Sequence, residues 1–171
     1  MKLLIVSDIH GDIESAEILI KVFNEEKCDK IVLLGDVLYH GPRNNLPGRY
    51  APKEVITLLN GYKNKILAVR GNCDTEVDQM VLEFPILSDS AVIFDGNLKI
   101  FATHGHKFNK DNLPPLCEGD MLVYGHTHVP IDVVSGGIRC LNPGSVSIPK
   151  EGSAHGYILY ENGEFLHKSL D

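Results

Sequence analysis

The chain has 171 residues, of which 43% are hydrophobic and 23% are charged, and its formal net charge at pH 7 is -7. This length suits one hydrophobic core and is short for two, so we expect a single domain over residues 1–171. The acidic balance argues against broad binding to nucleic-acid backbones, which requires clustered Lys and Arg.

The first half of the chain alternates strands and helices in the order β, α, β, α, β. Its strands are apolar runs without polar alternation, which is typical of strands covered on both faces, and its helices carry apolar residues at helical spacing. The predicted elements are strands over residues 2–6, 30–35 and 65–70, and helices over residues 12–27 and 52–61. Between them, residues 37–51 contain Gly and Pro without periodicity, which predicts a loop. This order is half of a layered α/β fold.

From residue 91 the pattern changes to closely spaced strands joined by turns. The predicted hairpins pair residues 91–94 with 98–103, 131–134 with 138–141, and 157–160 with 165–168, and a further strand covers residues 121–124. So many antiparallel strands cannot all join one open sheet. The sequence therefore predicts two stacked sheets with helices outside.

Two features bear on the compartment of the protein. The four cysteines, Cys28, Cys73, Cys117 and Cys140, lie far apart and form no CxxC pair, which favours neither a disulfide framework nor a zinc ribbon. The apolar run at residues 1–6 is too short for a signal peptide, and no run approaches transmembrane length. These observations predict a cytoplasmic protein without a membrane partner.

Side chains that favour metal ions recur at the carboxyl ends of the predicted strands. The group consists of Asp8, His10, Asp36, Asn72, His104, His126 and His128. Alone, each has a plainer explanation, because Asp8 and Asp36 could cap helices, Asn72 could form a turn, and a lone His is more often structural. Strand ends are where α/β sheets hold ligands, and imidazole, carboxylate and amide oxygen suit Mn, Fe or Zn. Their common placement therefore predicts a metal site, with Asp36 as the bridge between two ions.

Taken in order, these motifs resemble those of the calcineurin-like metallophosphoesterases. The matching motifs are Asp8-x-His10, Gly35-Asp36, Gly71-Asn72-x-Asp74, His104 and Gly125-His126-x-His128. Residues 35–44 and 142–147 further resemble the small bacterial phosphodiesterases of the YfcE type. The resemblance implies an α/β fold, a four-layer α/β/β/α sandwich of two mixed sheets with helices outside, and a dinuclear site at one edge.

The resemblance also implies how the ligands divide between two divalent metal ions per chain, with Mn expected ahead of Fe, Zn, Ni or Mg. One ion would take Asp8, His10 and His128, the other would take Asn72, His104 and His126, and Asp36 would bridge them. Two ions about 3.5 to 4 Å apart can share a water, lower its pKa and clamp a phosphoryl oxygen, so a metal-bound hydroxide would attack. The catalytic residues implied are Asp36, Asn72, Cys73, Asp74 and His104.

Cys73 departs from the family pattern. In most of the superfamily the residue after the Asn is a His, which is held by the next acidic residue and protonates the leaving group or contacts the phosphate. Here Asp74 remains but the His is absent. Cys73 is either a small filler at a strand end or a residue that biases activity toward diesters, and a thiol nucleophile is disfavoured because no base is dedicated to it.

The loop after Asp36 offers two further candidates for the site. His40 and Arg43 could reach a substrate phosphate, or could be solvated or structural side chains. No role is predicted for His106, His155 or His167.

The sequence thus predicts a metal-dependent phosphodiesterase that acts on a small phosphodiester and does not bind extended nucleic acid. It does not determine the oligomeric state, and a homo-oligomer is one possibility. A phosphomonoesterase or a nuclease is an alternative, against which Cys73 and the acidic composition argue respectively. A second alternative is a binding scaffold with a degraded metal site, similar to the retromer subunit that shares the family fold. The retention of every candidate ligand, His10 included, favours the enzyme.

Overall fold

Ten strands form two five-stranded sheets in the computed structural model, which describes residues 1–170. In chain order the elements are β1 (Lys2–Val6), α1 (Ile13–Glu25), β2 (Lys30–Leu33), α2 (Pro52–Asn60), a 3-10 turn (Lys63–Lys65), β3 (Ile66–Ala68), α3 (Glu76–Val81), β4 (Ser90–Asp95), β5 (Leu98–Thr103), β6 (Met121–Val123), β7 (Ile131–Ser135), β8 (Ile138–Asn142), β9 (Gly156–Glu161) and β10 (Glu164–Ser169). The predicted strands are confirmed, with ends that differ by at most two residues.

Both sheets are mixed, as the predicted fold class requires. The first has the order β10-β9-β1-β2-β3, in which β1, β2 and β3 are parallel and β9 is antiparallel to β1. The second has the order β4-β5-β6-β8-β7, in which β5, β6 and β8 are parallel and the two outer strands are antiparallel. In each sheet the parallel strands therefore end at the same edge, which is where ligand sites form in such folds.

The two sheets pack face to face through apolar side chains of alternate residues. Leu3 and Ile5 of β1 and Val32 of β2 contact a cluster that includes Ile100 of β5 and Val123 of β6. All five side chains are almost fully buried. Burial on this scale supplies most of the driving force for folding, at about 25 cal/mol per Å² of apolar surface.

The outer faces of the two sheets are covered differently. Helix α1 begins at an Asp12 cap, whose carboxylate accepts from the Ser15 N–H at 2.9 Å, and it packs Leu19 and Phe23 onto the first sheet together with α2. On the second sheet, Leu113 and its neighbours from the irregular segment 104–120 cover a smaller apolar cluster. The fold class is therefore confirmed, although an irregular segment covers this part of the second sheet.

The structure adds one element that the sequence analysis did not predict. Helix α3 covers only six residues and buries none of them fully. It is held by a capping box, in which Thr75 and Asp78 exchange hydrogen bonds between side chain and backbone. Within residues 1–170 no helix has the length and apolar character needed to cross a membrane.

Candidate metal centre

The seven predicted ligands lie in loops that leave the carboxyl ends of five strands. Asp8 and His10 follow β1, Asp36 follows β2, Asn72 follows β3, His104 follows β5, and His126 and His128 follow β6. Backbone hydrogen bonds join these loops, because the Asp8 N–H donates to the Gly35 carbonyl at 3.1 Å and the His10 N–H donates to the Asp36 carbonyl at 2.9 Å. The sheet edges thus bring together residues that are up to 120 positions apart in the sequence.

One group of candidate ligands consists of Asp8, His10 and His128, all buried. The Nε2 atoms of the two imidazoles lie 3.2 Å apart. Asp8 Oδ1 lies 3.2 Å from His128 Nε2 and 3.5 Å from His10 Nε2, but it makes no hydrogen bond within the described chain. A buried carboxylate oxygen without a hydrogen bond, facing two imidazole nitrogens, fits a site built for a cation.

A second group lies beside the first and shares Asp36 with it. His104 Nε2 is 3.0 Å from Asn72 Oδ1 and 3.4 Å from Asp36 Oδ2. The same Asp36 oxygen is 3.9 Å from His10 Nε2 in the first group. The His126 ring lies 5.1 Å from the His104 ring, centroid to centroid. Asp36 therefore lies between the two groups, in the position that a bridging ligand needs.

Three imidazoles are oriented by backbone carbonyls. The Nδ1 atoms of His10, His104 and His128 lie 2.7, 2.7 and 2.6 Å from the carbonyl oxygens of Tyr39, Leu34 and Ile148 respectively. Because a carbonyl oxygen only accepts, each Nδ1 donates a proton to its carbonyl, and each Nε2 is left to face the centre. This is the arrangement that fixes histidine ligands around metal ions in proteins.

The backbone at the site has an unusual conformation. Five candidate ligands, Asp8, His10, Asp36, His126 and His128, have positive φ angles between 50° and 68°. Only three other non-glycine residues of the described chain have positive φ. Non-glycine residues in this left-handed region cluster at functional sites, because the surrounding structure must hold them there.

The carboxylates and imidazoles of the centre shift one another's pKa values. Burial alone would raise the pKa of Asp8, but the imidazoles of His10 and His128 hold it well below the ordinary value. Burial opposes ionisation of Asp36 too, yet His104 lowers its pKa, and the carboxylates in turn raise the pKa of His104 to about 9. The centre therefore attracts positive charge, and a metal ion would displace the imidazole proton at Nε2.

Asp74, which was predicted to be catalytic, is buried and binds the backbone of the site. Its carboxylate accepts from the N–H groups of Asp36, Val37 and Gly71 at 2.9, 2.9 and 2.7 Å. Burial raises its pKa above the ordinary value of an aspartate. These bonds hold the turn that carries Asp36 against the turn that carries Asn72. They support a positioning role for Asp74.

Cys73 is half-buried and lies next to the Asp36 carboxylate. Its backbone N–H donates to Asp36 Oδ1 at 2.8 Å, and its thiol lines the cleft over the site. Burial, followed by the negative charge of Asp36, raises the pKa of the thiol far above its ordinary value. A neutral thiol is a poor nucleophile, so the structure adds nothing in favour of covalent catalysis.

The cleft over the centre is small, with a volume of about 50 Å³. The two residues that were predicted to contact substrate, Arg43 and His40, differ in their position relative to this cleft. Arg43 lines this cleft, together with Asn72 and His126. The His40 ring instead packs edge-on against Tyr39 and Tyr50, with centroids 4.8 and 5.3 Å apart. His40 is not among the cleft residues in the described chain, so a contact between His40 and substrate stays a prediction.

Several polar residues for which the sequence predicted no role support the centre. Ser145 Oγ and Ser147 Oγ both donate to the Asp8 carbonyl at 2.8 Å. The Asn142 amide donates to the Gly125 carbonyl at 2.7 Å and to Thr127 Oγ1 at 3.0 Å. The available signal was an Asn-Pro-Gly-Ser turn directly after a buried strand. His106 also lies nearby, exposed at 5.5 Å from the His104 ring, centroid to centroid.

Comparisons with known sequences agree with this geometry. A sequence model described as the calcineurin-like phosphoesterase superfamily domain matches residues 1–164. The chain is 49% identical over 162 residues to phosphodiesterase YfcE of Escherichia coli K12, which covers 95% of this chain and 88% of that protein. It is 27% identical to the probable metallophosphoesterase YsnB of Bacillus subtilis, over 93% of this chain and 83% of YsnB.

Solved structures show the same fold. A structure of YfcE, described as a phosphoesterase from E. coli, superposes with a TM-score of 0.97 at 47% identity and covers 100% of this chain and 94% of that one. A structure of Vps29 from Entamoeba histolytica superposes with a TM-score of 0.61 at 22% identity, covering 98% of this chain and 97% of that one. The second likeness extends to the fold alone.

Proposed function

The chain belongs to the calcineurin-like phosphoesterase superfamily and is a phosphoesterase, and on that premise we propose that it is a metal-dependent phosphodiesterase with a dinuclear centre and a bridging hydroxide. The observation that carries the proposal is the position of Asp36 between two groups of ligands whose imidazole Nε2 atoms converge. The name phosphodiesterase, given to a relative 49% identical to this chain, supports the diester as substrate.

We assign the ligands as the motifs predict. One ion would be held by Asp8, His10 and His128, the other by Asn72, His104 and His126, and both by Asp36. When bound, the ions would polarise a phosphoryl oxygen and supply the attacking group at neutral pH. The mixture of imidazole, carboxylate and amide oxygen supports Mn, with Fe, Zn, Ni and Mg as candidates of the same donor chemistry.

The other residues of the site would orient the substrate and the ligands. Arg43, at the mouth of the cleft, would contact a substrate anion, while Asp74 holds the backbone of Asp36 in place. The position of Cys73 supports the preference for diesters, because no imidazole follows Asn72 to assist a poor leaving group. We propose a small diester as partner, and the four cysteines, which form no disulfide, support a cytoplasmic location.

Metal-saturated protein is expected to hold two divalent ions per chain, since the ligands on either side of Asp36 form two sites. Elemental analysis after removal of excess Mn measures this ratio directly. A folded, saturated protein that retains one ion or none contradicts the dinuclear proposal. That result would favour a binding scaffold that shares only the fold.

Cys73→His is expected to raise hydrolysis of an alkyl phosphomonoester relative to bis(p-nitrophenyl) phosphate by about tenfold or more. An imidazole beside Asp36 and Asn72 could protonate a leaving alkoxide, and general acid catalysis typically contributes about 100 to 10,000-fold. The ratio of the two kcat/KM values is the measurement. The matched control is Cys117→His, which places the same ring at an exposed cysteine. An unchanged ratio in a variant with normal metal content means that residue 73 does not set the substrate class.

A further inference from the structure

We propose that Arg43 and Lys150 form a second anion site at the mouth of the cleft, and that the preferred substrates carry a further phosphate group beside the scissile diester. This inference deepens the proposed function and rests on it. Both residues line the same cleft as Asp36, Asn72 and His128. Lys150 was not among the residues predicted from the sequence.

The two cations are available for a ligand. Most Lys and Arg side chains in the structure are paired, as in the contacts of Lys2 with Glu26, Lys99 with Asp120 and Arg139 with Asp132. Within residues 1–170, neither the Arg43 nor the Lys150 side chain makes a hydrogen bond or an ion pair, and both are exposed. In a chain of net charge -7, two unpaired cations at the mouth of the metal centre select for anions.

Lys150 is fixed at its base by the same segment that orients His128. Its backbone N–H donates to the His128 carbonyl at 3.2 Å, and the His128 ring bonds to the Ile148 carbonyl at 2.6 Å. The Lys150 carbonyl in turn accepts from Ser153 Oγ at 2.7 Å. The Lys150 backbone is therefore held in a constant position relative to the centre, although its side chain is free.

Arg43 is anchored in a similar way on the other side. The loop that carries it contacts the His10 ring through the Tyr39 carbonyl at 2.7 Å, and it is closed by a bond from the Asn44 amide to the His40 carbonyl at 2.8 Å. His10 and His128 are themselves adjacent in the centre, with Nε2 atoms 3.2 Å apart. Each cation thus extends from a segment fixed to one of two neighbouring imidazoles.

The charges decide what these cations would bind. Two divalent ions would exceed the combined charge of the carboxylates Asp8 and Asp36 and the proposed bridging hydroxide by one positive charge, which already matches the single negative charge of a diester. The diester itself therefore does not account for two further cations. A terminal phosphate carries about -1.5 to -2 charges at pH 7, and arginine binds phosphate through two parallel hydrogen bonds. Together, Arg43 and Lys150 match such a group.

The test compares two esters that differ only in a remote phosphate. They are the p-nitrophenyl ester of thymidine 5′-phosphate and the same ester with a phosphate on its 3′ hydroxyl. We expect the Mn-loaded enzyme to have the higher kcat/KM for the phosphorylated ester. Lys150→Gln and Arg43→Gln are each expected to lower this preference by about 10- to 150-fold, the range expected for a hydrogen bond between charged groups.

The matched control is Lys65→Gln, because Lys65 is also exposed and unpaired in the described structure but lies before β3, at the end of that strand remote from Asn72. It is expected to leave the preference unchanged. Equal effects of Lys150→Gln and Lys65→Gln, or no preference in the unaltered enzyme, would overturn the proposal, because only net charge would then matter.

Calorimetry provides a second measurement that does not depend on turnover. Thymidine 3′,5′-bisphosphate is expected to bind more tightly than thymidine 5′-phosphate, and Lys150→Gln is expected to remove most of the difference. Equal affinities in the unaltered protein would overturn the second anion site. Hydrolysis of neither ester, with the affinity difference intact, would instead contradict the proposed phosphodiesterase function while retaining the anion site.

Discussion

Asp36→Asn is expected to lower phosphodiesterase activity at least about 100-fold while the protein stays folded. Asp36 Oδ2 lies between His104 of one group of ligands and His10 of the other, at 3.4 and 3.9 Å. The substitution keeps the shape of the side chain but removes a negative charge that both ions would share. Loss of a single terminal ligand would affect one ion directly, whereas loss of the proposed bridge would disturb both.

The measurement is kcat/KM for bis(p-nitrophenyl) phosphate at saturating Mn, with metal content and circular dichroism recorded on the same sample. Asp111→Asn is a suitable control, because it makes the same chemical change at an exposed position where the carboxylate pairs with Lys110. A rate near that of the unaltered protein at saturating metal would contradict the bridging assignment. A changed dichroism spectrum would show that the loss came from unfolding.

Asp74→Ala is expected to lower the free energy of unfolding by about 3 kcal/mol or more, through the backbone N–H groups that it leaves without an acceptor. The carboxylate serves three such donors, those of Asp36, Val37 and Gly71, and all its bonds lie in the interior. A buried donor without a partner costs about 1 to 3 kcal/mol. Removal of the buried charge returns part of this loss, because burial already raises the pKa of Asp74.

Chemical denaturation in the presence of a chelator measures this effect without a contribution from metal binding. Asp78→Ala is an informative comparison, because that carboxylate also accepts from a backbone N–H, but at an exposed helix cap. A cap contributes about 1 kcal/mol, so the smaller loss is expected there. A loss at Asp74 no larger than at Asp78 would contradict the role of Asp74 as the anchor between the two turns.

The sequence was most informative for elements that hydrophobic periodicity and the order of motifs are enough to locate. Apolar runs locate β1 and β2 because a strand buried on both faces needs no polar alternation. The same runs locate Asp8 and Asp36, since the first polar residues after such a strand lie at the sheet edge. The motif resemblance then supplied the family, and the fold that it implied is confirmed.

Contacts between distant segments were beyond the sequence. The bonds of Ser145 and Ser147 to the Asp8 carbonyl join residues 137 and 139 positions apart, and no local pattern reports them. In the loop after β2, both Arg43 and His40 were predicted to be able to reach a substrate. Because this loop has no periodicity, nothing distinguished Arg43, which lines the cleft, from His40, which packs against two aromatic rings. Helix α3, with six residues, is too short for a periodic signal.

The left-handed backbone of the five candidate ligands also bears on the evolution of the chain. Holding an Asp or a His in this conformation costs about 1 kcal/mol or more per residue, a large share of a total stability of about 5 to 15 kcal/mol. Glycine would adopt the same φ without that cost, so selection for folding alone opposes the residues present. Stability alone therefore does not explain these five residues, and a protein that used the fold only to bind partners would gain stability if Gly replaced them.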